Sequence, residues 1–399
     1  VFKLLIGLWL IPALDSRPEI ASYGAIANSL LAGQGYVAEA GGEPIFYRPP
    51  VYTFFLATLY FLFGSAPLTV TLAHIGLDLV TCLIIYALAR TTFDRPVAWL
   101  AAWGVGFYPL ALYYDTRQLT EPLFTLLLAG LLYFWVKANE TLAKRAFLWA
   151  GLFWGLGALC RGSLIYFVVL VGGATLLRHG RKAWVPVMIF FISGMLAIAP
   201  WTMRNYLASA GSFVLISTEG PYSIWVGSFL ATAGLDDDGL RGEKLALFED
   251  TRTQIAGGNQ WLAPENRAKF TRAAIDNISA SPLEFIALSL RKILRFWFFI
   301  QNPDRQIFMT VVALIQIGYL LAGGVGLYYS WPKHVLAMGP GLLAIGYFVL
   351  LHALTVAEVR YSVPVMPYVI IFGSYACLKG LAVWGISGNH LSSLEGGQA

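Results

Sequence analysis

Behind the first apolar run of this chain stand two carboxylates, Asp15 and Glu19, followed by the element Tyr47-Arg48-Pro49-Pro50. A carboxylate near a guanidinium suits group transfer from a phosphate carrier. The carboxylate takes the acceptor's proton as the bond forms, and the cation binds phosphate oxygens bidentately. For a lipid-linked sugar phosphate the leaving group departs as a stable anion, so no general acid is required. One base and a cationic clamp then suffice, and the sugar centre inverts in a single displacement. Glu19 is the candidate base and Asp15 the fallback. Glu19 follows Pro18 and precedes Tyr23 by four residues, at the start of a short amphipathic run. It is therefore also a helix-start acid of the kind the helix dipole favours. Asp15 ends an apolar run and is also its natural cap.

The clamp candidates are Arg48, Arg204 and Arg360. Two prolines after Arg48 fix the backbone and keep it at a helix start. Arg204 lies in Pro200-Trp201-Thr202-Met203-Arg204-Asn205, where an apolar run ends, and Arg360 sits between Glu358 and Tyr361, ahead of Pro364 and Pro367. A guanidinium keeps its charge in any such setting. Each has a plainer reading, as an interfacial anchor or a structural ion pair; as a set they point to a bound anion. Tyr23, Asp115, Glu121, Arg161 and His352 are expected to support them. Glu121 follows Thr120 and precedes Pro122, so it is a first-turn acid or an acid that holds the clamp arginines or a cation. His352 either orients the phosphate or satisfies a loop carbonyl. His74 and Asp78, four apart on an apolar run, read as a functional or a buried structural pair.

These residues must be positioned by helices in a membrane. The chain has 399 residues, 58% hydrophobic and 12% charged, with a mean hydropathy of +0.66. A soluble domain cannot bury that much apolar surface, so an all-α polytopic membrane protein is expected. The net charge of +5 comes without a basic run, and no nucleic-acid partner is expected. Cys82, Cys160 and Cys377 lie inside apolar runs and give neither a disulfide framework nor a metal spacing.

About ten crossings are expected: 2–14, 67–89, 97–114, 119–136, 147–159, 163–177, 185–200, 307–329, 335–354 and 363–377. The first is short and the chain begins with Val1, so a helix truncated by a misassigned start is expected there. Segments 52–63 and 282–300 read as helices lying at the membrane surface. Arg90, Arg95, Lys137, Lys144, Arg145, Arg178, Arg181, Lys182 and Lys333 fall in loops of one side, which marks the cytoplasm. The organisation expected is a transmembrane catalytic module at 1–200, with a first extracytoplasmic loop at 15–66. An extracytoplasmic domain with an interfacial helix follows at 201–303, then transmembrane helices at 304–382 and a cytoplasmic tail at 383–399. The arginines gather on the face where the positive-inside rule disfavours them.

The chain resembles the GT-C glycosyltransferases, in the branch of the protein O-mannosyltransferases and the lipid A aminoarabinose transferases. The resemblance runs through Glu19 and Tyr23, Arg48-Pro49-Pro50, Leu119-Thr120-Glu121-Pro122, the run ending Cys160-Arg161, Pro200-Trp201 with Arg204-Asn205-Tyr206, and Arg360-Tyr361 with Pro364 and Pro367. It implies a GT-C fold, a polyprenyl-phosphate-sugar donor, and a site facing the periplasm or its equivalent from the inner membrane. The family's first-loop catalytic residue is usually Asp, where this chain has Glu19. Its basic residue before the double proline, often Lys, is Arg48 here and contacts the lipid phosphate. No family-wide metal motif is visible, so no metal or cofactor is assigned. The acceptor is a lipid, glycan or protein group. A transporter or flippase of the same carrier is the alternative; it calls for repeat symmetry, and no convincing repeat is found.

Overall fold

The computed structural model describes residues 22–258, 260–298, 306–332 and 334–383. Asp15 and Glu19, the segment 2–14 and the tail from 384 lie outside the described residues. Every regular element among the described residues is helical.

Prolines open much of the first half. A proline at the first helical turn loses no hydrogen bond, because the amide there has no intrahelical partner. After α1 (Tyr23–Leu31), α2 (Pro50–Phe63) starts this way behind an extended Pro49, and its C-cap is Gly64 at φ +80°. Then come α3 (Pro67–Arg90), α4 (Arg95–Gly106) and α5 (Pro109–Asp115), each with proline in its first turn. Asp94 caps α4, its carboxylate accepting from the Val97 amide at 3.1 Å. The bundle continues with α6 (Glu121–Thr141), α7 (Lys144–Cys160), α8 (Phe167–His179) and α9 (Trp184–Ala208).

Packing of α7 on α9 relies on small residues. A Cβ placed on Gly155 would meet the Gly194 carbonyl oxygen at 2.6 Å, so the two backbones touch. Gly151 faces Phe190 and Ser193 while Gly155 faces Gly194 and Ala197, which makes the two helices parallel. The intervening α8 must therefore run back across the bundle. Trp135 of α6 ties it in place by donating to Thr175 Oγ1 at 2.9 Å.

By length and composition six described helical stretches can cross a membrane, or seven if α4 and α5, bent by 46°, form one crossing. One of the six, Gly162–Ala208, contains both α8 and α9. The expected ten also included 2–14, outside the described residues, and 147–159, which lies in the 17-residue α7. The chain is a multi-pass membrane protein.

A smaller unit follows α9: α10 (Glu219–Ser228), α11 (Gly242–Ala256), α12 (Arg267–Ala280) and α13 (Pro282–Phe298). Its core is Tyr222, Trp225, Phe248 and Phe270. On α13, Leu283, Ile286, Leu290 and Leu294 form an exposed apolar stripe opposite the buried Phe285, Leu288 and Phe296. Finally α14 (Gln306–Ser330), α15 (Val335–Leu354), a 3₁₀ turn (Val359–Val365) and α16 (Met366–Val383) complete the bundle. α16 packs on α14 and α4. Tyr361, in the 3₁₀ turn, packs against both cores.

Candidate active site

Arg48 is held by its backbone. The Tyr36 hydroxyl donates to the carbonyls of Arg48 and Pro49, both at 3.1 Å, and lies 2.9 Å from Thr53 Oγ1. Its side chain is far less constrained. Nη1 stands 3.5 Å from Glu219 Oε1, beyond a charge-assisted hydrogen bond. The guanidinium lies 5.1 Å from the Tyr23 ring centre and 5.3 Å from that of Tyr47. Nε, buried, has no hydrogen-bond partner among the described residues. Burial pushes the Tyr23 phenol up to about 12, so Tyr23 stays neutral beside the cation.

A second pair stands nearby. Arg161, at the end of α7, donates from Nη2 to Glu121 Oε1 at 2.8 Å. Glu121 opens α6 and is only 1% exposed. Burial works against the Arg161 cation, but Glu121 together with Tyr361 and Tyr23 outweighs it, and the pKa is raised. Glu121 Oε2 has no hydrogen-bond partner among the described residues. The Arg161 guanidinium lies 5.4 Å from the Phe124 ring centre and 5.0 Å from that of Tyr361.

Arg360 provides the third pair, its Nε 3.1 Å from Glu358 Oε2 and its Nη2 donating to the Tyr361 hydroxyl at 2.9 Å. His352 stacks on Tyr361 with ring centres 4.1 Å apart, and its Nδ1 lies 2.8 Å from the Val356 carbonyl. This is the loop-carbonyl contact expected of His352, while its Nε2 is buried without a hydrogen-bond partner among the described residues. Arg360 lies within electrostatic reach of both Arg48 and Arg161. Three arginines, each with its own glutamate, thus gather around Tyr23 and Tyr361.

Beneath them Asp115 is buried, and its carbonyl lies 3.0 Å from His74 Nδ1. His74 Nε2 meets the Tyr52 hydroxyl at 3.2 Å, and Tyr52 packs edge-on against Tyr23. Asp78, Asp115 and Glu121 line one cavity of about 10 Å³, room for roughly one water. No group of three or more metal-ligating side chains that could hold a metal ion occurs among the described residues.

Arg204 has a different setting. It donates to the Ile45 carbonyl at 2.8 Å, Asn205 Oδ1 at 3.1 Å and the Tyr36 carbonyl at 3.4 Å. Its guanidinium also lies against the rings of Tyr36, Phe46 and Trp201. These contacts tie the 36–46 loop to α9. Sequence reasoning missed Glu219: its one signal, an acid at a helix start, says nothing of Arg48.

The site's frame has counterparts among known proteins. Residues 47–203, less than half of the chain, match the family model described as dolichyl-phosphate-mannose-protein mannosyltransferase. No curated protein matches the chain by sequence. The Archaeoglobus fulgidus oligosaccharyltransferase in its apo form aligns at TM-score 0.50 and 12% identity, over 100% of this chain and 52% of that one. AglB from Archaeoglobus fulgidus, in complex with an inhibitory peptide and a dolichol-phosphate, aligns at 0.47 and 14%, over 92% and 48%. ArnT from Cupriavidus metallidurans bound to undecaprenyl phosphate aligns at 0.41 and 13%, over 96% and 78%. This chain spans about half the length of the archaeal oligosaccharyltransferases. The family match, which contains Arg48, Glu121 and Arg161, and the fold shared with the apo oligosaccharyltransferase agree with the resemblance read from the sequence: over residues 47–203 the chain is similar to the dolichyl-phosphate-mannose-protein mannosyltransferase family, and in fold it is similar to that oligosaccharyltransferase.

Proposed function

We propose that the chain is an inverting glycosyltransferase that moves one sugar from a polyprenyl phosphate to an acceptor hydroxyl or amine on the extracytoplasmic face of the membrane. The observation that carries this reading is the Arg48 guanidinium, fixed at a helix start with one loose carboxylate partner and a buried Nε without a hydrogen-bond acceptor. Buried donors in native structures are usually satisfied, and Arg360 Nε in the same cluster is also without a hydrogen-bond partner among the described residues, so the two guanidiniums together leave donors for an anion. The family model, which opens at Tyr47, is named for a dolichyl-phosphate donor, and this supports a lipid phosphate as that anion.

In this reading Arg48 and Arg360 bind the donor phosphate, and the Arg161–Glu121 pair holds the Tyr361 side of the site. Arg204 is assigned to the loop it fastens. Glu19 is the base, with Asp15 as fallback. Glu19 precedes Tyr23, which faces Arg48, by four residues. As the acceptor oxygen or nitrogen attacks the anomeric carbon, Glu19 takes its proton and the lipid phosphate leaves as an anion. The unit from α10 to α13 is the natural reader of the acceptor.

Purified protein should transfer sugar from short-chain polyprenyl-phosphate sugars to one member of an acceptor panel, or slowly hydrolyse the donor. Glu19→Gln should lower turnover by about 10²–10⁴ while donor binding persists. Full turnover in Glu19→Gln would move the base elsewhere. Donor binding without turnover under every condition would overturn the enzyme reading in favour of a carrier.

A further inference from the structure

We propose that Glu219 occupies the phosphate's place on Arg48 and is displaced when the lipid phosphate binds. The inference rests on the phosphate role of Arg48 proposed above and assigns a function to a residue outside it. Glu219 comes from the other hydrophobic unit, 171 positions away in sequence, and reaches Arg48 because α10 begins there. The Thr218 amide donates to the Phe46 carbonyl at 3.1 Å, two residues before Arg48, which brings the start of α10 to the guanidinium.

The plainer account of Glu219 is a helix-start acid, stabilised by the dipole of α10. That explains why an acid is tolerated at this position, not why it meets Arg48 as it does. A structural ion pair in this molecule has a different form. Arg161–Glu121 closes to 2.8 Å, with side-chain exposures of 16% and 1%. Arg48–Glu219 stays at 3.5 Å, with 22% and 42%. The longer pair is Coulombic contact without a hydrogen bond, and solvent screens its exposed carboxylate. Arg48 Nε meanwhile has no acceptor among the described residues.

A phosphate offers what this carboxylate does not: several oxygens, able to take two parallel N–H donors at about 2.8 Å. The same guanidinium cannot give its best geometry to both anions. Phosphate binding and the Glu219 contact are therefore competitive, and the carboxylate lowers the apparent affinity of the site by its own occupancy. A removable anion also keeps the guanidinium of Arg48 partnered until the lipid arrives.

The test is a titration of the full chain in nanodiscs with undecaprenyl phosphate, and in parallel with undecaprenol, which lacks the phosphate. Glu219→Gln should tighten undecaprenyl phosphate binding by about two- to fivefold, an effect of the size expected for a part-exposed ion pair. Undecaprenol binding should not change. Arg48→Ala should weaken phosphate binding, and adding Glu219→Gln to it should then have no effect. Unchanged or weaker binding in Glu219→Gln, with Arg48→Ala still weakening it, overturns the competition and leaves the phosphate role of Arg48 standing. Equal tightening for undecaprenol overturns it as well, since a general loosening of the site would act on both lipids. If Arg48→Ala leaves the affinity unchanged, the phosphate reading itself fails and this inference fails with it.

Discussion

Arg48 and Arg204 stand on the same face of the protein, and Tyr36 touches both. The Tyr36 hydroxyl holds the backbone at Arg48, while its carbonyl and its ring meet Arg204. The two guanidiniums end up in opposite states. Arg204 has three acceptors within 3.4 Å and three aromatic neighbours. Arg48 has one carboxylate at 3.5 Å and a buried Nε without an acceptor. Location alone, an arginine where positive charge is disfavoured, does not separate a ligand-binding side chain from a structural one. Hydrogen bonding does: three of the five Arg204 donors are already committed to the protein, whereas no Arg48 side-chain donor has an acceptor at hydrogen-bond distance among the described residues.

The comparison can be broken most strongly at the third corner. Glu121→Ala removes the buried partner of Arg161 and leaves a guanidinium unpaired in the interior. We expect a loss of about 3–5 kcal/mol of stability, read as a large drop in melting temperature. A melting temperature near wild type would mean that Arg161 finds other partners. Next comes Arg204→Ala, which frees the Ile45 and Tyr36 carbonyls and unfastens the loop. A loss of about 2 kcal/mol is expected in the same melting experiment. A stability unchanged by Arg204→Ala would remove its structural assignment.

The smallest effect is a pH dependence at another buried, hydrogen-bonded cation. Lys292 of α13 is fully buried and donates to the Gly227 and Thr355 carbonyls at 2.8 and 2.9 Å, joining α10 to the end of α15. Burial, with Arg295 adding to it, pulls its pKa down to about 7 from an ordinary lysine value of 10.5. Between those two values the unfolded chain holds more protons than the folded one, so this group makes stability rise with pH from about 7 to about 10.5. Below about 7 both states are protonated and its contribution is flat. Comparing melting at pH 6 and pH 8, we expect a gain of about 1 kcal/mol that Lys292→Met removes. A gain of the same size in Lys292→Met would assign the dependence to other groups.

Much of the frame was legible in the sequence because its causes are local. Prolines at Pro50, Pro67, Pro96 and Pro109 mark helix starts through their own chemistry, and apolar runs mark the crossings. Arg48, Glu121, Arg161 and Arg360 were legible as rare fixed charges in an apolar chain, and the fold brings them together. What depends on distant pairing was not. Arg204 meets carbonyls 159 and 168 positions away, and no local pattern separates it from Arg48. Glu219 reads as a helix-start acid until α10 is seen against Arg48. His74 and Asp78 are both buried and in electrostatic contact, as their spacing allows, but the hydrogen bonds of the His74 ring go to Tyr52 and the Asp115 carbonyl, which spacing does not show. Asp15 and Glu19 lie outside the described residues.

The most direct measurement compares Arg48→Ala with Arg204→Ala in undecaprenyl phosphate binding, each variant also scored for melting temperature. We expect Arg48→Ala to lose at least about tenfold in affinity, the scale of one charged hydrogen bond, while its melting temperature stays near wild type. Arg204→Ala should melt lower and, where folded, bind the lipid within about twofold of wild type. The opposite pattern, with affinity lost in Arg204→Ala and kept in Arg48→Ala, would contradict the assignment of the phosphate site to the unsaturated arginine.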